Sequence, residues 1–347
     1  MTEFYSELLS QPKALKTLIE KYRAVDYAPI RQAAQMIRQR GEVIFSGMGT
    51  SYFAPTAIRS SLAPYAKVIQ VEAGELLEGS LSMVQPEDVV FLISQSGESV
   101  ELVKVAQALR NSAAIICITN DTQSSLAKSA NVVLPLYCEK EKSITNKTYT
   151  NTLAVLYLLT EFVADGSIAQ LETQIQAASE EMQAIVSNPE TEHQFRELAD
   201  YLAPAQAIHF IGRGGAGLVS SYQASLIFME GAKCATHGFS TGAFRHGPIE
   251  VCGETHRAVI FAQQDYNLDK TLLLAEKISQ NRSKVLLVTN TDYQNKTVKT
   301  VPVQVKSSTG FSLVSALIFE LLLVFVAENK NLVAGQFSIT SKISRVE

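Results

Sequence analysis

Tryptophan is absent from this 347-residue sequence, and cysteine occurs only four times, at Cys117, Cys138, Cys234 and Cys252, with no CxxC pair. That excludes a disulfide-stapled scaffold and a thiolate zinc ribbon, and it leaves buried free thiols as the reading, clearest for Cys117 in its apolar run. His237, His246, Glu250 and Cys252 lack the spacing of a metal-ligand set, so no metal is expected. Charge of one sign is also missing: 30 Lys and Arg stand against 34 Asp and Glu, a net charge of −4, and the basic residues are scattered. Neither a nucleic acid nor a membrane surface is therefore expected as partner. No GxxxxGK[ST] stretch is present, which excludes an NTP-binding P-loop. The only long apolar run, "FSLVSALIFELLLVFVA" at 311–327, holds two serines and Glu320 and is short for a membrane span, so it reads as a buried core helix. The start, "MTEFYSELLSQPKALK", carries acids among its apolar residues, unlike a signal peptide, and the protein is expected to be cytoplasmic.

What is there is an alternation. Short apolar runs at Val43–Phe45, Val68–Gln70, Val89–Ile93, Ala114–Ile118 and Val132–Leu136 read as strands, and a second set follows at Ile208–Ile211, Ala258–Ala262, Val285–Val288 and Val301–Val305. Helix-like stretches separate them, which predicts α/β architecture with parallel sheets covered on both faces. The two sets also resemble each other. "VIFSGMGTSY" answers "IHFIGRGGAG", "VVFLISQSGE" answers "AVIFAQQDYN" and "IICITN" answers "VLLVTN", at offsets of 165, 169 and 170 residues. A nearly constant offset reads as internal duplication. The chain then divides into N-terminal helices over 1–40, a first unit with its connecting helix over 41–190, and a second unit over 191–347.

The copies differ where chemistry is expected. Ligands of open parallel sheets bind outside the carboxyl ends of the strands. The first copy places Gly49, Thr50 and Ser51 after one strand and Ser94, Gln95, Ser96 and Ser99 after another; the second has "QQDYN" in place of "SQSGES". A helix beginning at residues 98–100 would put backbone N–H groups beside these hydroxyls, the makings of a phosphate site. Thr145 in "TNKT" could add a hydroxyl, and the lysine of that loop a cation. The plain structural alternative is N-capping, but two hydroxyl-rich loops on one sheet exceed what caps require. "GRGGAG" at 212–217 matches a dinucleotide fingerprint, yet the first acid after it, Glu230, ends a helix-like stretch, so its glycines are read as a tight strand-to-helix turn.

With these residues in view, the chain resembles the SIS (sugar isomerase) domain family. "SGMGTSY" and "ISQSGES" look like its two phosphate-binding loops, "MEGAKCATHGFSTGAFRHGP" is similar to the active-site segment of the isomerase half of glucosamine-6-phosphate synthase and of fructosamine-6-phosphate deglycases, and "TSKISRVE" is like the tail that closes over the sugar. The resemblance implies two tandem subdomains, each with a five-stranded flavodoxin-like sheet. It implies phosphate and sugar ligands at Gly49, Thr50, Ser51, Ser94, Gln95, Ser96, Ser99 and Thr145. Glu230 is implied as the base moving a proton between C1 and C2, His246 as the histidine of ring opening, and Lys342 as a sugar contact. It implies no metal and no organic cofactor, a sugar phosphate or sugar-amine 6-phosphate as substrate, and a homodimer with shared sites. Two departures stand out: the synthase pattern has lysine where this chain has Ile227, and glutamate where it has Ala243. With no glutamine-hydrolysing segment before residue 35, the expectation is a deglycase that splits a sugar-amine adduct. A simple aldose–ketose isomerase and a non-catalytic sugar-phosphate sensor are the alternatives.

Overall fold

The computed structural model describes residues 2–40 and 42–339. Among these residues ten strands form two sheets, all neighbours parallel: β1 (Glu42–Gly47), β2 (Lys67–Glu72), β3 (Val89–Ile93), β4 (Ala114–Thr119) and β5 (Val132–Pro135) in the first, and β6 (Ala207–Gly212), β7 (Thr236–Ser240), β8 (His256–Ala262), β9 (Lys284–Thr289) and β10 (Val298–Pro302) in the second. The strand orders are β2-β1-β3-β4-β5 and β10-β9-β8-β6-β7. Renumbered within its own copy, the second sheet has the same order as the first, the flavodoxin-like 2-1-3-4-5 arrangement. The duplication read from the sequence is thus a duplication of topology.

The strand assignments differ from the sequence reading in two places. β7, "THGFS", is a strand that the apolar pattern does not reveal: His237 is exposed and Gly238, Phe239 and Ser240 are half-buried, because β7 is an edge strand held by its ladder to β6. β10 runs Val298–Pro302 instead of 301–305, and its ladder to β9 closes with the Val303 N–H on the Thr289 carbonyl at 2.8 Å. The central strands β3, β4 and β8 are buried along their whole length, as strands covered on both faces must be.

The chain folds into two compact units that are not contiguous in sequence. One holds the first sheet and comprises Lys13–Glu141 and Lys147–Thr173, together with residue 339 among those described; the other holds the second sheet and comprises residues 2–12, Lys142–Asn146 and Gln174–Ser338. We propose that the sequence boundaries near 40 and 190 mark the duplicated copies; the compact units trade short segments across them. Glu7 shows how one traded segment is held. Its buried carboxylate accepts the backbone N–H groups of Lys142 at 2.5 Å and Ser143 at 3.2 Å and the side-chain amide of Asn146 at 3.3 Å.

The apolar helix Ser308–Asn329 is the one helix among the described residues with the length and composition of a membrane span, and its apolar window is wholly buried within the fold. Its Glu320 is fully buried and accepts a hydrogen bond from the Gln11 amide in the same unit. The run is a buried core helix, as expected from the sequence, and its one carboxyl group is hydrogen-bonded, as a buried polar group must be.

At the N-terminal end of the second sheet, His209 Nδ1 lies 2.9 Å from His256 Nε2, and His256 Nδ1 lies 2.9 Å from Ser283 Oγ. Burial first, then the charges of His209 and Arg257, holds His256 down at about 4, against an ordinary 6.5. His209 is lowered too, by burial and then by His237. A base with a depressed folded value stabilises the fold above its unfolded value, and that stability is lost as pH falls through the folded one. Thermal midpoints are therefore expected to decline between pH 6.5 and about 4, and His256→Asn should flatten that part of the profile; an unchanged slope in the variant would place the acid sensitivity elsewhere.

Candidate functional site

Strand order reverses between β1 and β3, so the loops that follow these two strands leave the sheet in opposite directions and open a crevice at its carboxyl edge. The residues there are those the sequence singled out. After β1 the chain turns at Gly49, whose φ of 51° and ψ of −120° belong to glycine, into the short helix Thr50–Phe53. Gly47 is required by contact: a Cβ there would meet the Ser51 carbonyl carbon at 2.7 Å. Thr50 and Ser51 are half-buried, and among the described residues neither hydroxyl has a hydrogen-bond partner.

After β3, Ser94 is buried and its Oγ accepts the Gly97 N–H at 3.1 Å while lying 3.1 Å from Ser99 Oγ. Ser96 Oγ accepts the Glu98 N–H at 3.2 Å, leaving its own proton to donate. Ser99 occupies the N-cap of the ten-residue helix Val100–Leu109 but makes no capping bond, so capping does not account for its hydroxyl. Gln95 contributes only its backbone carbonyl, which accepts from Thr119 Oγ1 at 3.3 Å and from the Asn120 N–H at 3.0 Å. Its side-chain amide has no partner among the described residues. Among the described residues the two loops thus offer three half-buried polar side chains without partners, further hydroxyls and a helix N-terminus, groups of the kind that bind anions.

Thr119 and Asn120 are residues the sequence reading passed over. They sit at the end of β4 and brace the β3 loop from the neighbouring strand; Ser124, against which a Cβ on Gly97 would clash, completes that brace. The repeated "TN" at the ends of β4 and β9 was the signal available. Asn290, its counterpart, likewise holds the loop after β8 through the Gln264 N–H at 2.7 Å.

The remaining candidates are placed differently. Thr145 is half-buried in the segment Lys142–Asn146, which belongs to the unit of the second sheet. The lysine and second threonine of its loop do not add an exposed cation and hydroxyl: Lys147 is buried, and the Thr148 hydroxyl donates to Glu141 at 2.8 Å. Glu230 is half-buried in the last turn of the helix Gly214–Ala232. That helix closes at Lys233, whose left-handed φ of 50° lets the Cys234 N–H return to the Phe228 carbonyl at 3.2 Å. His246 is exposed, one residue past the short helix Thr241–Arg245 and before Gly247, whose φ of 122° is open only to glycine. Ile227 is fully buried and Ala243 exposed. Lys342 lies outside the described residues. At the second sheet's own switch point the glycines serve packing: a Cβ on Gly212 would overlap the Gly217 carbonyl, and one on Gly217 would meet the Phe261 carbonyl oxygen at 2.9 Å.

A model of the SIS domain matches residues 36–162 and again 201–324. Glutamine–fructose-6-phosphate aminotransferase of Thermococcus kodakarensis is 28% identical over 254 residues, covering 70% of this chain and 41% of that protein. Arabinose 5-phosphate isomerase KpsF of Escherichia coli is 31% identical over 172 residues, 49% of this chain and 52% of that one. The chain thus spans less than half the length of the aminotransferase. Among solved structures, the C-terminal domain of glucosamine-fructose-6-phosphate aminotransferase from Francisella tularensis superposes with a TM-score of 0.83 at 19% identity, over 97% of this chain and 98% of that one. Tagatose-6-phosphate ketose/aldose isomerase from Escherichia coli does so with a TM-score of 0.82 at 16% identity, over 97% and 96%. With both sheets in the same topology and both copies matched by the domain model, this chain belongs to the SIS domain family.

Proposed function

We propose that the protein processes a sugar phosphate by moving a proton between C1 and C2, and that its substrate is a fructosamine-type 6-phosphate, the adduct of a sugar phosphate and an amine. The observation that carries the sugar-phosphate part is the set of side chains without partners among the described residues, Thr50, Ser51 and Gln95, on the two loops that leave the switch point of the first sheet. Phosphate held there would lend remote binding energy to fix the reacting carbons. Glu230, half-buried, is the proposed base. A carboxylate held close to the reacting carbon can both take a proton and return one. It would remove a proton from C1 of the open-chain ketosamine and deliver one to C2; the resulting C1=N bond is hydrolysed by water to an aldose phosphate and the free amine. His246, exposed on its turn, is proposed to carry the proton for ring opening, and Lys342 to contact the sugar. The reading includes a homodimer with sites completed by a neighbouring subunit's histidine loop.

The deglycase part is supported by Ile227 and Ala243. A lysine at 227 would have to lie on a helix face that is fully buried, and the side chain there is apolar. A simple aldose–ketose isomerase is the second reading, favoured by the 31% identity to arabinose 5-phosphate isomerase over half of this chain. Proton NMR in deuterium oxide separates them. The protein is mixed in turn with fructoselysine 6-phosphate, glucoselysine 6-phosphate, glucosamine 6-phosphate and fructose 6-phosphate. Amine release is expected from one of the lysine adducts. Isomerisation or deuterium exchange at C1 or C2 without amine release would replace the deglycase by the isomerase, and saturable binding without turnover would replace both by a sensor.

A further inference from the structure

A pocket of about 340 Å³ opens in the unit of the second sheet, well away from the carboxyl edge of that sheet. Its walls are the loop that leads into β6, the first residues of β6, the turn at Lys233 and Cys234, and the end of the last helix at Lys330. The floor is apolar, with Leu202, Ala207 and Val326. Neither aspartate nor glutamate lines it, and Glu230 is not part of it.

Its polar side carries two ammonium groups. Lys330 Nζ donates to the Lys233 carbonyl at 2.8 Å and lies 3.5 Å from Cys234 Sγ. Lys233 Nζ donates to the Gln336 carbonyl at 2.9 Å and to the carbonyl of Glu230. Among the described residues no carboxylate lies within 4.0 Å of either ammonium. Two cations that share one pocket, satisfied only by neutral acceptors, repel each other and attract an anion. An apolar floor beneath them selects an anion with a hydrocarbon body over a bare ion.

We propose that this pocket binds a small organic carboxylate, with its carboxylate between Lys233 and Lys330 and its hydrocarbon body on Leu202, Ala207 and Val326. The inference is independent of the sugar-phosphate reading. Cys234, half-buried in the pocket wall, supplies the means of testing it.

Iodoacetate and iodoacetamide alkylate the same thiolate and are close in size, but only the first is a carboxylate. The full chain is treated with each, and alkylation of Cys234 and Cys252 is followed by peptide mass spectrometry. The ratio of the two rates at one cysteine cancels that thiol's own reactivity, and Cys252, outside the pocket, is the reference. The iodoacetate-to-iodoacetamide ratio at Cys234 is expected to exceed that at Cys252 by about fivefold, the worth of an exposed ion pair or two. The iodoacetate rate should also saturate with concentration, and hexanoate should slow it. Lys330→Met, at an exposed position, should bring the ratio down to the reference with the thermal midpoint unchanged. Equal ratios at the two cysteines overturn the proposal, as does a Cys234 that neither reagent reaches, since a pocket open to a small carboxylate is open to these.

Discussion

Replacing Glu230 by glutamine is expected to lower turnover by about 10²–10⁴-fold while leaving sugar-phosphate affinity within a few fold, the signature of a lost general base. The separation follows from where the groups stand. The proposed phosphate ligands belong to loops after β1 and β3, whereas Glu230 ends a helix of the second copy. Glutamine keeps the size and shape of the half-buried side chain and exchanges one acceptor oxygen for an amide donor, so the lost basicity is the main change. Calorimetry with fructose 6-phosphate gives the affinity and the NMR assay the turnover. If affinity falls in step with turnover, Glu230 is a binding residue and the proposed base must be sought elsewhere; if neither changes, it is not in the site at all.

The second large effect is expected from Gly212→Ala. The new methyl group would overlap the backbone carbonyl of Gly217, and a carbonyl within a helix cannot swing aside as a side chain can. The first turn of the helix Gly214–Ala232 would have to lift from the end of β6, at a cost of about 3 kcal/mol, the upper end for overpacking. Because the same rigid helix carries Glu230 in its last turn, turnover should fall together with the thermal midpoint. Gly253→Ala is the control: nothing lies within 4 Å of its added methyl, and a change within about 0.5 kcal/mol is expected. A Gly212→Ala protein that melts like the control would mean that helix and strand can separate without loss.

Much of this architecture could be read from sequence because buried parallel strands are written as unbroken apolar runs. β3, β4 and β8 are of that kind and were located within a residue or two. β7 was not, because half of an edge strand faces away from the core and its pairing partner, not its composition, makes it a strand. The hydroxyl loops were legible as a cluster, but the role of each hydroxyl was not. That Ser99 turns to Ser94 instead of capping its helix depends on the bend at Gly97, and that bend is held from β4 by residues some 24 positions further along the chain. The trading of segments between units was illegible for the same reason: Glu7 holds Lys142 and Asn146 through bonds that span 135 and 139 residues, and no local pattern encodes a bond of that span.

The pairing of Gln11 with Glu320 has a consequence for synthesis. These residues are 309 positions apart, and the helix Glu3–Leu9 just before Gln11 packs on the same apolar helix that holds Glu320. At about 5–20 residues per second, that helix leaves the ribosome roughly 15–60 s before its partner exists. During this interval Phe4 and Leu8, both fully buried in the finished protein, have no core to enter. The first sheet, complete by Pro135, can close long before then. The nascent chain is therefore expected to carry a folded first sheet beside an unsettled segment at residues 3–11, and a chaperone that binds exposed apolar residues would find its best purchase on that segment until the helix Ser308–Asn329 has been made.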